Sequence, residues 1–346
     1  MPQTILGCTY PTNAELVALQ MELMPRFMNG RVGFEILPFR NTESAQIIFQ
    51  QPDIFRGLQQ WRGLDQPTTA VDDRYDIYGR MCVLEPGYWG EHDFIDEAFM
   101  TRAAQPNSCM DTLDLTGLMV TLQQRLLERR YNRVEFSIWQ ALVFGRYEAL
   151  NQQGQIVAQA TYNIQQVAVP IPWTTILTSA PLDNFRTVQL LSRGTSTDFG
   201  SCATAYMNRV TANQLFRNQN PNDVGKAGLT ACCTFMGLDI VNQQFAAQGL
   251  PQINIYDQGY IDDAGNFQPY IPDGKVVIVG CRPGGVPPGH YWLTRNMVNC
   301  GVNSGFWMKV HDNCEYAVPR KIMLYDGHNG GPGIEYVRQI VTLTVF

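Results

Sequence analysis

INIYDQGYIDDAGNFQPYIPDGKVVIVG, residues 253–280, joins two strand patterns and a turn in one short unit. Residues 253–256 predict a short strand, and residues 262–266 supply turn-forming side chains. A Pro-Asp-Gly turn then precedes Lys275–Val279, whose apolar run predicts a buried strand. No pair of side chains in the stretch is spaced for catalysis, so it predicts a shape and indicates no chemistry.

The residue order of this stretch carries a resemblance. An aromatic-Asp-x-x-aromatic-apolar-Asp-Asp-x-Gly pattern begins at Tyr256, and Pro-Asp-Gly-Lys with four apolar residues follows from Pro272. This order resembles the axial-domain hairpin of lambdoid tailed-phage major capsid proteins, the capsid protein E family. Three further segments are similar to the start and return of that family's extended loop, to its long helix with a hairpin, and to its C-terminal return. They are residues 34–49 with Pro86 and Gly87, residues 122–149, and residues 316–346.

The resemblance implies an α+β fold, the tailed-phage major capsid fold. It implies an N-terminal arm, an extended loop, a peripheral domain with a long spine helix, and an axial domain. The implied boundaries are 1–31 for the arm, 32–46, 91–180 and 306–333 for the peripheral domain, 47–90 for the extended loop, and 181–305 and 334–346 for the axial domain.

Composition agrees with a chain that buries much of its surface in contacts. Charged residues make up 16% of the 346 residues, against roughly 25% in ordinary soluble domains. Charge is depleted from the cores of protein interfaces, although a merely Gln-rich protein would show the same deficit. The net charge of -6 argues against a protein that condenses nucleic acid by itself.

Cysteine usage and hydropathy indicate a cytoplasmic place of assembly. The nine cysteines are scattered, and no secretory signal precedes them, which predicts reduced thiols. No run of about 18 apolar residues predicts a membrane span. We therefore expect assembly in a host cytoplasm, without a membrane.

A capped helix is predicted near the N-terminus. Thr12 and Glu15 form a capping box, and Asn29-Gly30 gives the stop, so a helix is expected over Asn13–Met28. Its apolar side carries Leu16, Leu19, Leu23 and Phe27. The sequence shows no partner for this side within the chain, and we expect the helix to be an arm that docks elsewhere, for instance on a neighbouring subunit.

Residues 47–90 are predicted to form an extended hairpin over an adjacent subunit. Residues 47–49 and 75–84 read as its two strands, and the middle is polar with few core residues. Aromatic and aliphatic residues in that middle argue against a disordered insertion. The expected subunit-contact residues are Ile54, Phe55, Arg56, Leu58, Trp61, Arg62, Arg74 and Arg80.

The strongest helical pattern covers residues 112–144. Ser108 and Asp111 read as a second capping box, and Gly145 as the stop. Its basic side carries Arg125, Arg129, Arg130 and Arg133. These arginines could contact DNA or a neighbour's carboxylates, or simply form a solvated helix face. Beyond it, residues 147–150 and 156–162 predict a hairpin, and residues 203–216 and 228–247 predict helices.

Candidates for chemistry are weak. Lys226 lacks the glycine and Ser/Thr of a phosphate-binding loop, and the glycine-rich residues 327–333 are expected to form a flexible turn. Cys232 and Cys233 lie in an apolar pattern, where thiols are inert. The spacing of one further set matches no usual zinc site: Cys281, His290, Cys300, His311 and Cys314. We therefore expect no catalytic residue, no cofactor and no metal.

The resemblance implies a major capsid protein of a tailed-phage head, located in the virion. Its copies would form pentamers and hexamers of an icosahedral shell that encloses double-stranded DNA without reading its sequence. A separate scaffolding protein and a portal are the implied partners, and a decoration protein stays open. Two alternatives remain, an encapsulin-like protein compartment and a cytosolic cysteine hydrolase. The four lysines, Lys226, Lys275, Lys309 and Lys321, all lie outside the proposed loop, so the isopeptide cross-link of some tailed-phage capsids is not expected.

Overall fold

A computed structural model describes residues 3–5, 8–51, 80–103, 113–151, 153–218, 220, 238–262, 264–298, 303–313 and 319–346. The helices in these ranges are α1 (Asn13–Met28), α2 (Gly33–Ile36), α3 (Glu97–Ala103), α4 (Thr116–Phe144), α5 (Pro181–Leu191), α6 (Arg209–Arg217) and α7 (Leu238–Ala247), with a 3-10 turn at Val337–Gln339. None of these helices is long and apolar enough to cross a membrane.

The strands of the described residues form two sheets of five or more strands and several smaller ones. In chain order they are β1 (Gln3–Ile5), β2 (Cys8–Tyr10), β3 (Phe39–Asn41), β4 (Ile47–Gln51), β5 (Arg80–Leu84), β6 (Gly87–Asp96), β7 (Leu113–Asp114), β8 (Arg146–Leu150), β9 (Ile156–Thr161), β10 (Gln165–Ala168), β11 (Thr204–Met207), β12 (Gln252–Ile255), β13 (Gly259–Ile261), β14 (Phe267–Pro269), β15 (Lys275–Val279), β16 (Gly289–Leu293), β17 (Arg295–Asn296), β18 (Asn303–Ser304), β19 (Phe306–Asp312), β20 (Lys321–Ile334) and β21 (Ile340–Thr344). This mixture of helices and sheets confirms the α+β prediction.

One sheet has the strand order β10-β21-β15-β11-β12. The strands predicted from residues 253–256 and Lys275–Val279 are both in it, as β12 and β15, but they are not neighbours. β11 lies between them, parallel to β12 and antiparallel to β15. A hydrophobic core with Phe185 from α5, Leu215 from α6 and Phe245 from α7 covers this sheet.

The prediction of a helix over residues 203–216 was wrong in its first half. Residues Thr204–Met207 form strand β11, and α6 starts after Asn208, whose side chain accepts a hydrogen bond from the Thr211 amide. Ala205 and Met207 are fully buried between neighbouring strands. A short apolar run of this kind fits a buried strand or a buried helix equally well, and only the neighbouring strands decide.

The second sheet is organised around the 14-residue strand β20. β6 pairs with one edge of β20 along most of its length, and β19 and β16 pair with the other edge. β3 then extends the sheet from β16. The predicted flexible turn at residues 327–333 is therefore wrong, because this glycine-rich segment is part of the central strand.

Close aromatic packing explains the glycines of β20. A side chain at Gly327 would collide with the ring of Trp307 and the carbonyl of Trp89. A Cβ at Gly333 would lie 2.7 Å from the Trp292 ring, and one at Gly331 would lie 3.2 Å from the Tyr147 ring. The glycines let bulky rings lie directly on the strand. Glycine content alone suggested a loop, but glycine in a strand can also mark such a close approach.

The spine helix α4 packs against this sheet. It has 29 residues, which corresponds to roughly 43 Å at 1.5 Å per residue. It ends as predicted at Gly145, whose φ is 66° and whose Cβ would lie 2.7 Å from the Tyr162 carbonyl oxygen. It starts later than predicted, at Thr116, because residues Leu113–Asp114 pair with β2. The proposed cap at Ser108 and Asp111 lies outside the described residues.

The N-terminal helix was predicted correctly, but it has a partner in its own chain. α1 covers Asn13–Met28 with the Thr12–Glu15 capping box in place. Leu16 is fully buried, and its carbonyl accepts a 2.7 Å hydrogen bond from Gln123 on α4. The Val310 amide on β19 donates to the Asn13 side chain at 2.8 Å. The expectation that this helix lacks an intramolecular partner is therefore wrong.

A buried carboxylate joins α2, α4 and the segment after β12. Glu135 accepts hydrogen bonds from the Gly33 amide at 3.0 Å and from the Tyr256 hydroxyl at 2.7 Å. It also accepts from the Trp139 indole at 2.8 Å, within α4. Burial raises the pKa of Glu135, and the three donors oppose that shift. These contacts fix the spine helix to the sheet that contains β12.

The proposed domain boundaries stay a prediction, and two strands pair across them. β10 was placed with the peripheral segment but pairs with β21. β16 was placed with the axial segment but pairs with β20 and β3. Both pairings join residues far apart in sequence, so local patterns carry no signal for them.

Candidate assembly surface

Four two-stranded ribbons of the described residues lie outside the two main sheets, and three of them are considered as contact surfaces: β4–β5, β8–β9 and β13–β14. Each of these three ribbons carries two large apolar residues that are exposed and lie directly opposite each other. The pairs are Ile48–Val83, Leu150–Ile156 and Ile261–Phe267. We call these three features the contact ribbons.

The β4–β5 ribbon is apolar on both of its faces. Ile47, Phe49 and Leu84 are buried on one face, and Ile48 and Val83 are exposed on the other. Successive residues of a strand point to opposite faces, so the ribbon lies on its own subunit with one apolar face still uncovered. The strands predicted at residues 47–49 and 75–84 are thus confirmed as an antiparallel pair over residues 47–51 and 80–84, whereas residues 75–79 lie outside the described residues.

One of the eight predicted contact residues of that loop, Arg80, lies on this ribbon. Seven of them lie in residues 52–79, outside the described residues, and remain predictions: Ile54, Phe55, Arg56, Leu58, Trp61, Arg62 and Arg74. Arg80 is the first residue of β5, and its backbone lies opposite Gln51.

The β8–β9 ribbon follows the spine helix, as predicted. Tyr147 and Ala149 are buried on its inner face, and Leu150 and Ile156 form the exposed pair beside the turn. The turn is held by the Asn151 side chain, which accepts hydrogen bonds from the Gln153 and Gln155 amides. The apolar pair is therefore held at the rim of a well-bonded turn.

The β13–β14 ribbon presents the most exposed of the three pairs. Ile261 is 72% exposed and Phe267 is 57% exposed. Between them the Asp262 carboxylate accepts from the amides of Ala264 at 3.0 Å and Asn266 at 2.8 Å. The Asn266 amide is the main cause that lowers the pKa of Asp262. The turn at residues 262–266 was predicted, but the outward apolar pair was not.

The contact ribbons have the properties of surfaces that pair with another chain. An isolated two-stranded ribbon is at best marginally stable in water, and its outer edges offer unpaired backbone groups to a neighbour. Exposed apolar residues arranged in opposed pairs add area that a partner can cover. This geometry supports protein–protein contact.

Solved structures with the same architecture are known. The chain is similar over 100% of its length to 100% of the protein assigned as the capsid protein of a prophage in E. coli CFT073, with a TM-score of 0.56 and 12% identity. It is also similar over 92% of its length to 96% of a phage-related protein from Bordetella bronchiseptica RB50, with a TM-score of 0.51 and 10% identity. No protein-family model and no curated protein matches the sequence.

This chain has the tailed-phage capsid fold. The fold that the resemblance predicted is therefore confirmed, whereas a lambdoid origin or the capsid protein E family is not. At such low identity the likeness extends to the fold, and the role of individual residues in this capsid fold has to be argued from their own contacts.

The arginines on the basic side of the spine helix have partners within the subunit. Arg125 pairs with Asp93 at 3.3 Å, and Arg129 pairs with Glu91 at 2.6 Å, both across to β6. The guanidinium of Arg133 lies over the Trp89 ring, 5.1 Å from its centre. Neither DNA nor a neighbour's carboxylates are needed to explain these arginines, because the chain supplies their partners.

Arg130 forms a buried ion pair with Asp326. The two charged groups lie 2.6 Å apart, and both side chains are 3% exposed. Burial raises the pKa of Asp326 to about 6, and Arg130 opposes that shift. Arg130 also lies over the Phe306 ring at 4.4 Å. Burial lowers the pKa of the nearby His328 to about 3, so this imidazole is neutral.

A cavity of about 850 Å³ lies beside this pair, between α4, β6 and the ends of the β8–β9 and β13–β14 ribbons. Its acidic side chains, Glu91, Asp262 and Asp326, match the number of arginines in its lining, Arg129, Arg130 and Arg133. The lining thus has no excess of charge to select an anion or a cation. Among these lining residues no nucleophile is paired with a base.

The remaining candidates for chemistry do not converge in the described residues. His290 bonds to Glu335 at 2.9 Å, whereas His311 lies on a different strand, β19. Five other candidates, Cys300, Cys314, Cys232, Cys233 and Lys226, lie outside the described residues. Within the described ranges, no group of three or more His, Cys, Asp or Glu side chains could hold a metal.

Proposed function

We propose that this chain is a major capsid protein whose copies assemble into the closed shell of a tailed-phage head. The observation that carries the proposal is the capsid fold together with three contact ribbons that each expose an apolar pair. A capsid fold explains why one subunit leaves such surfaces uncovered, since neighbouring copies would cover them.

A comparison of the free energy of apolar burial with the cost of association favours assembly through several ribbons at once. Full burial of one large apolar side chain contributes about 1.5–3 kcal/mol, so one pair contributes at most about 3–6 kcal/mol. Association of two proteins costs an estimated 4–15 kcal/mol in lost freedom, roughly the same size or larger. One ribbon alone therefore gives a weak contact, whereas three ribbons covered together hold a subunit firmly. Because firm binding needs all three ribbons to be covered, closed shells are favoured over open assemblies.

The finer parts of the proposal follow from a shell of this kind. Copies would be arranged as pentamers and hexamers around double-stranded DNA, with a scaffolding protein and a portal as partners. The net charge of -6 and the internally paired arginines of α4 suit a shell that encloses DNA without condensing it. We expect assembly in the host cytoplasm and a final place in the virion.

Electron microscopy of the purified chain, alone and co-produced with its neighbouring phage genes, tests the proposal. Closed icosahedral shells that fill with DNA in the complete system are expected. Shells that enclose a protein cargo instead would indicate a protein compartment. A chain that stays monomeric under all of these conditions would overturn the proposal.

A charge on the most exposed ribbon should prevent assembly without unfolding the subunit. Ile261→Lys places an ammonium where we expect a neighbour to cover an apolar side chain. Removal of one such apolar contact weakens association at least roughly tenfold, since 1.4 kcal/mol corresponds to a factor of ten. Particle yield by gradient sedimentation should fall sharply, while circular dichroism and the melting temperature stay close to those of the parent.

The matched control for this variant is Ala264→Lys, which adds the same charge at an exposed position of the same ribbon. It removes no large apolar side chain and should still assemble. Equal particle yields from both variants would show that Ile261 is not part of a contact.

Mature particles should contain no covalent links between subunits. The proposed loop, residues 47–90, contains no lysine, and arginine is a poor substitute because its guanidinium stays protonated. Boiled and reduced particles should run on a denaturing gel as one band at 39.0 kDa. A ladder of multiples of that mass would contradict this expectation.

A further inference from the structure

Two thiols meet where the sheet that contains β11 and β15 ends. β11 and β15 are antiparallel, and Thr204 pairs with Val279 at the end of the ladder. Cys202 lies two residues before Thr204, and Cys281 lies two residues after Val279. Both cysteines therefore lie just beyond the same end of this ladder, where Asp198 is the residue paired with Cys281.

Contacts at this position hold both thiols in place. Asp198 exchanges two backbone hydrogen bonds with Cys281, each 2.8 Å long. The Asp198 carboxylate accepts from the Gly200 amide at 2.9 Å and from the Cys202 thiol at 3.8 Å. Asp198 thus contacts both cysteines and holds the two thiols beside the same turn.

The two cysteines differ in exposure. Cys202 is exposed and Cys281 is half-buried, and both are reduced. Burial, and then the Cys202 thiol, raise the pKa of Cys281 to about 12. Since the thiolate is the attacking species, Cys202 is the thiol that an oxidant in solution reaches first, and Cys281 is the one that reacts second.

We propose that Cys202 and Cys281 form a reversible disulfide within one subunit, made by exchange with a small-molecule disulfide such as oxidised glutathione. Asp198 is the residue paired with Cys281, and its carboxylate accepts from the Cys202 thiol at 3.8 Å, so both thiols lie beside this one residue. A disulfide needs Cβ atoms about 3.5–4.5 Å apart, and a movement of the turn at residues 198–203 would bring the two cysteines to that distance.

The exchange balances in two steps. The Cys202 thiolate attacks one sulfur of oxidised glutathione, which forms a mixed disulfide and releases one glutathione thiolate. Cys281 loses its proton to solvent and attacks the Cys202 sulfur, which forms the protein disulfide and releases the second glutathione thiolate. The two cysteines are oxidised, and one glutathione disulfide is reduced to two thiols.

The disulfide would fasten the segment that follows α5 to the end of β15. In a reducing cytoplasm the thiols stay free, and in oxidising surroundings they pair. A particle that leaves its host cell passes from reducing to oxidising surroundings, so the disulfide would form after assembly and would then rigidify each subunit. That timing rests on the proposed function, whereas the pairing of the thiols does not.

The test uses the full-length subunit incubated with oxidised glutathione, and then alkylation and peptide mass spectrometry without reduction. We expect one peptide pair linked through Cys202 and Cys281, with the loss of two hydrogens and no added glutathione. In Cys281→Ser, which lacks the second thiol, a glutathione adduct should accumulate on Cys202. The melting temperature should rise on oxidation of the parent and return to its starting value with dithiothreitol.

Cys82→Ser is the control, because Cys82 is a cysteine on a different sheet, and this variant should form the same linked peptide as the parent. The proposal is overturned if Cys202 and Cys281 are both recovered alkylated, if they link to other cysteines, or if the linkage joins two chains. None of these results depends on whether shells form, so a failure here leaves the capsid proposal standing.

Discussion

Replacement of Arg130 by methionine should destabilise the subunit by about 3–5 kcal/mol at neutral pH, the loss expected when one partner of a buried ion pair is removed. Arg130 and Asp326 are each 3% exposed, so water cannot take over the role of the missing charge. The variant keeps the Asp326 carboxylate inside the protein with no cation beside it. Urea unfolding monitored by circular dichroism measures the change in the free energy of unfolding.

The pH dependence gives this variant a distinctive signature. The pKa of Asp326 is raised from 3.8 to about 6 in the folded protein. A carboxyl with a raised pKa binds its proton more tightly when folded, so its contribution to stability is full below about pH 4 and is lost as the pH rises through about 6. Without Arg130 the pKa rises further, because Arg130 opposes the shift. The variant should therefore be most destabilised above pH 7 and recover towards the parent at pH 5.

Two comparisons make this prediction specific. Arg125→Met removes an exposed arginine of the same helix, paired with Asp93, and exposed pairs contribute only about 0–1 kcal/mol. The double variant Arg130→Met with Asp326→Leu replaces the whole pair by apolar groups and should recover most of the lost stability. A loss for Arg130→Met that is equal at pH 5 and pH 8 would contradict the role assigned to Asp326.

The burial of Arg130 is a feature that the sequence alone could not predict. Helical spacing correctly placed four arginines on one side of α4, but it treated them as equivalent. Their difference comes from partners distant in the chain: Asp326 is 196 residues from Arg130. Which arginine is buried depends on how β20 crosses the helix, and a local pattern contains no information on that crossing.

The elements predicted well are those that local chemistry determines. α1 has a capping box and a glycine stop, α4 ends at Gly145, and β15 is an apolar run after a Pro-Asp-Gly turn. Those signals act within a few residues. Local patterns predicted a turn for the glycines of β20 and a helix for the short apolar run of β11. Contacts with residues distant in the sequence make both segments strands instead.

The contact ribbons were missed for a related reason. Ile261 and Phe267 flank a turn that the sequence predicts, and the length of that turn places the two residues opposite each other on the ribbon. Whether that side of the ribbon faces the core or solvent depends on the rest of the subunit, because a strand offers both faces equally. The structure shows that these two side chains are exposed, and this exposure is the basis for the candidate assembly surface.

Leu16→Ala should cost about 2–5 kcal/mol of folding stability, the usual range for removing a buried leucine side chain. Leu16 is fully buried where α1 packs against α4 and β19. Subunits have a total stability of about 5–15 kcal/mol, so deletion of all of α1, which removes this residue and its neighbours, should leave the chain unfolded or aggregated. The same helix would be dispensable for folding if it were only an arm for a neighbouring subunit.

Met21→Ala is the matched control for the same helix, because Met21 is 69% exposed and a surface change of this kind stays within about ±0.5 kcal/mol. Unfolding curves of soluble subunits separate the two roles that α1 could have. A large loss for Leu16→Ala with none for Met21→Ala would make α1 part of the folded subunit. Unchanged stability in both variants, with fewer closed shells, would instead restore the assembly arm, since α1 would then contribute only between subunits.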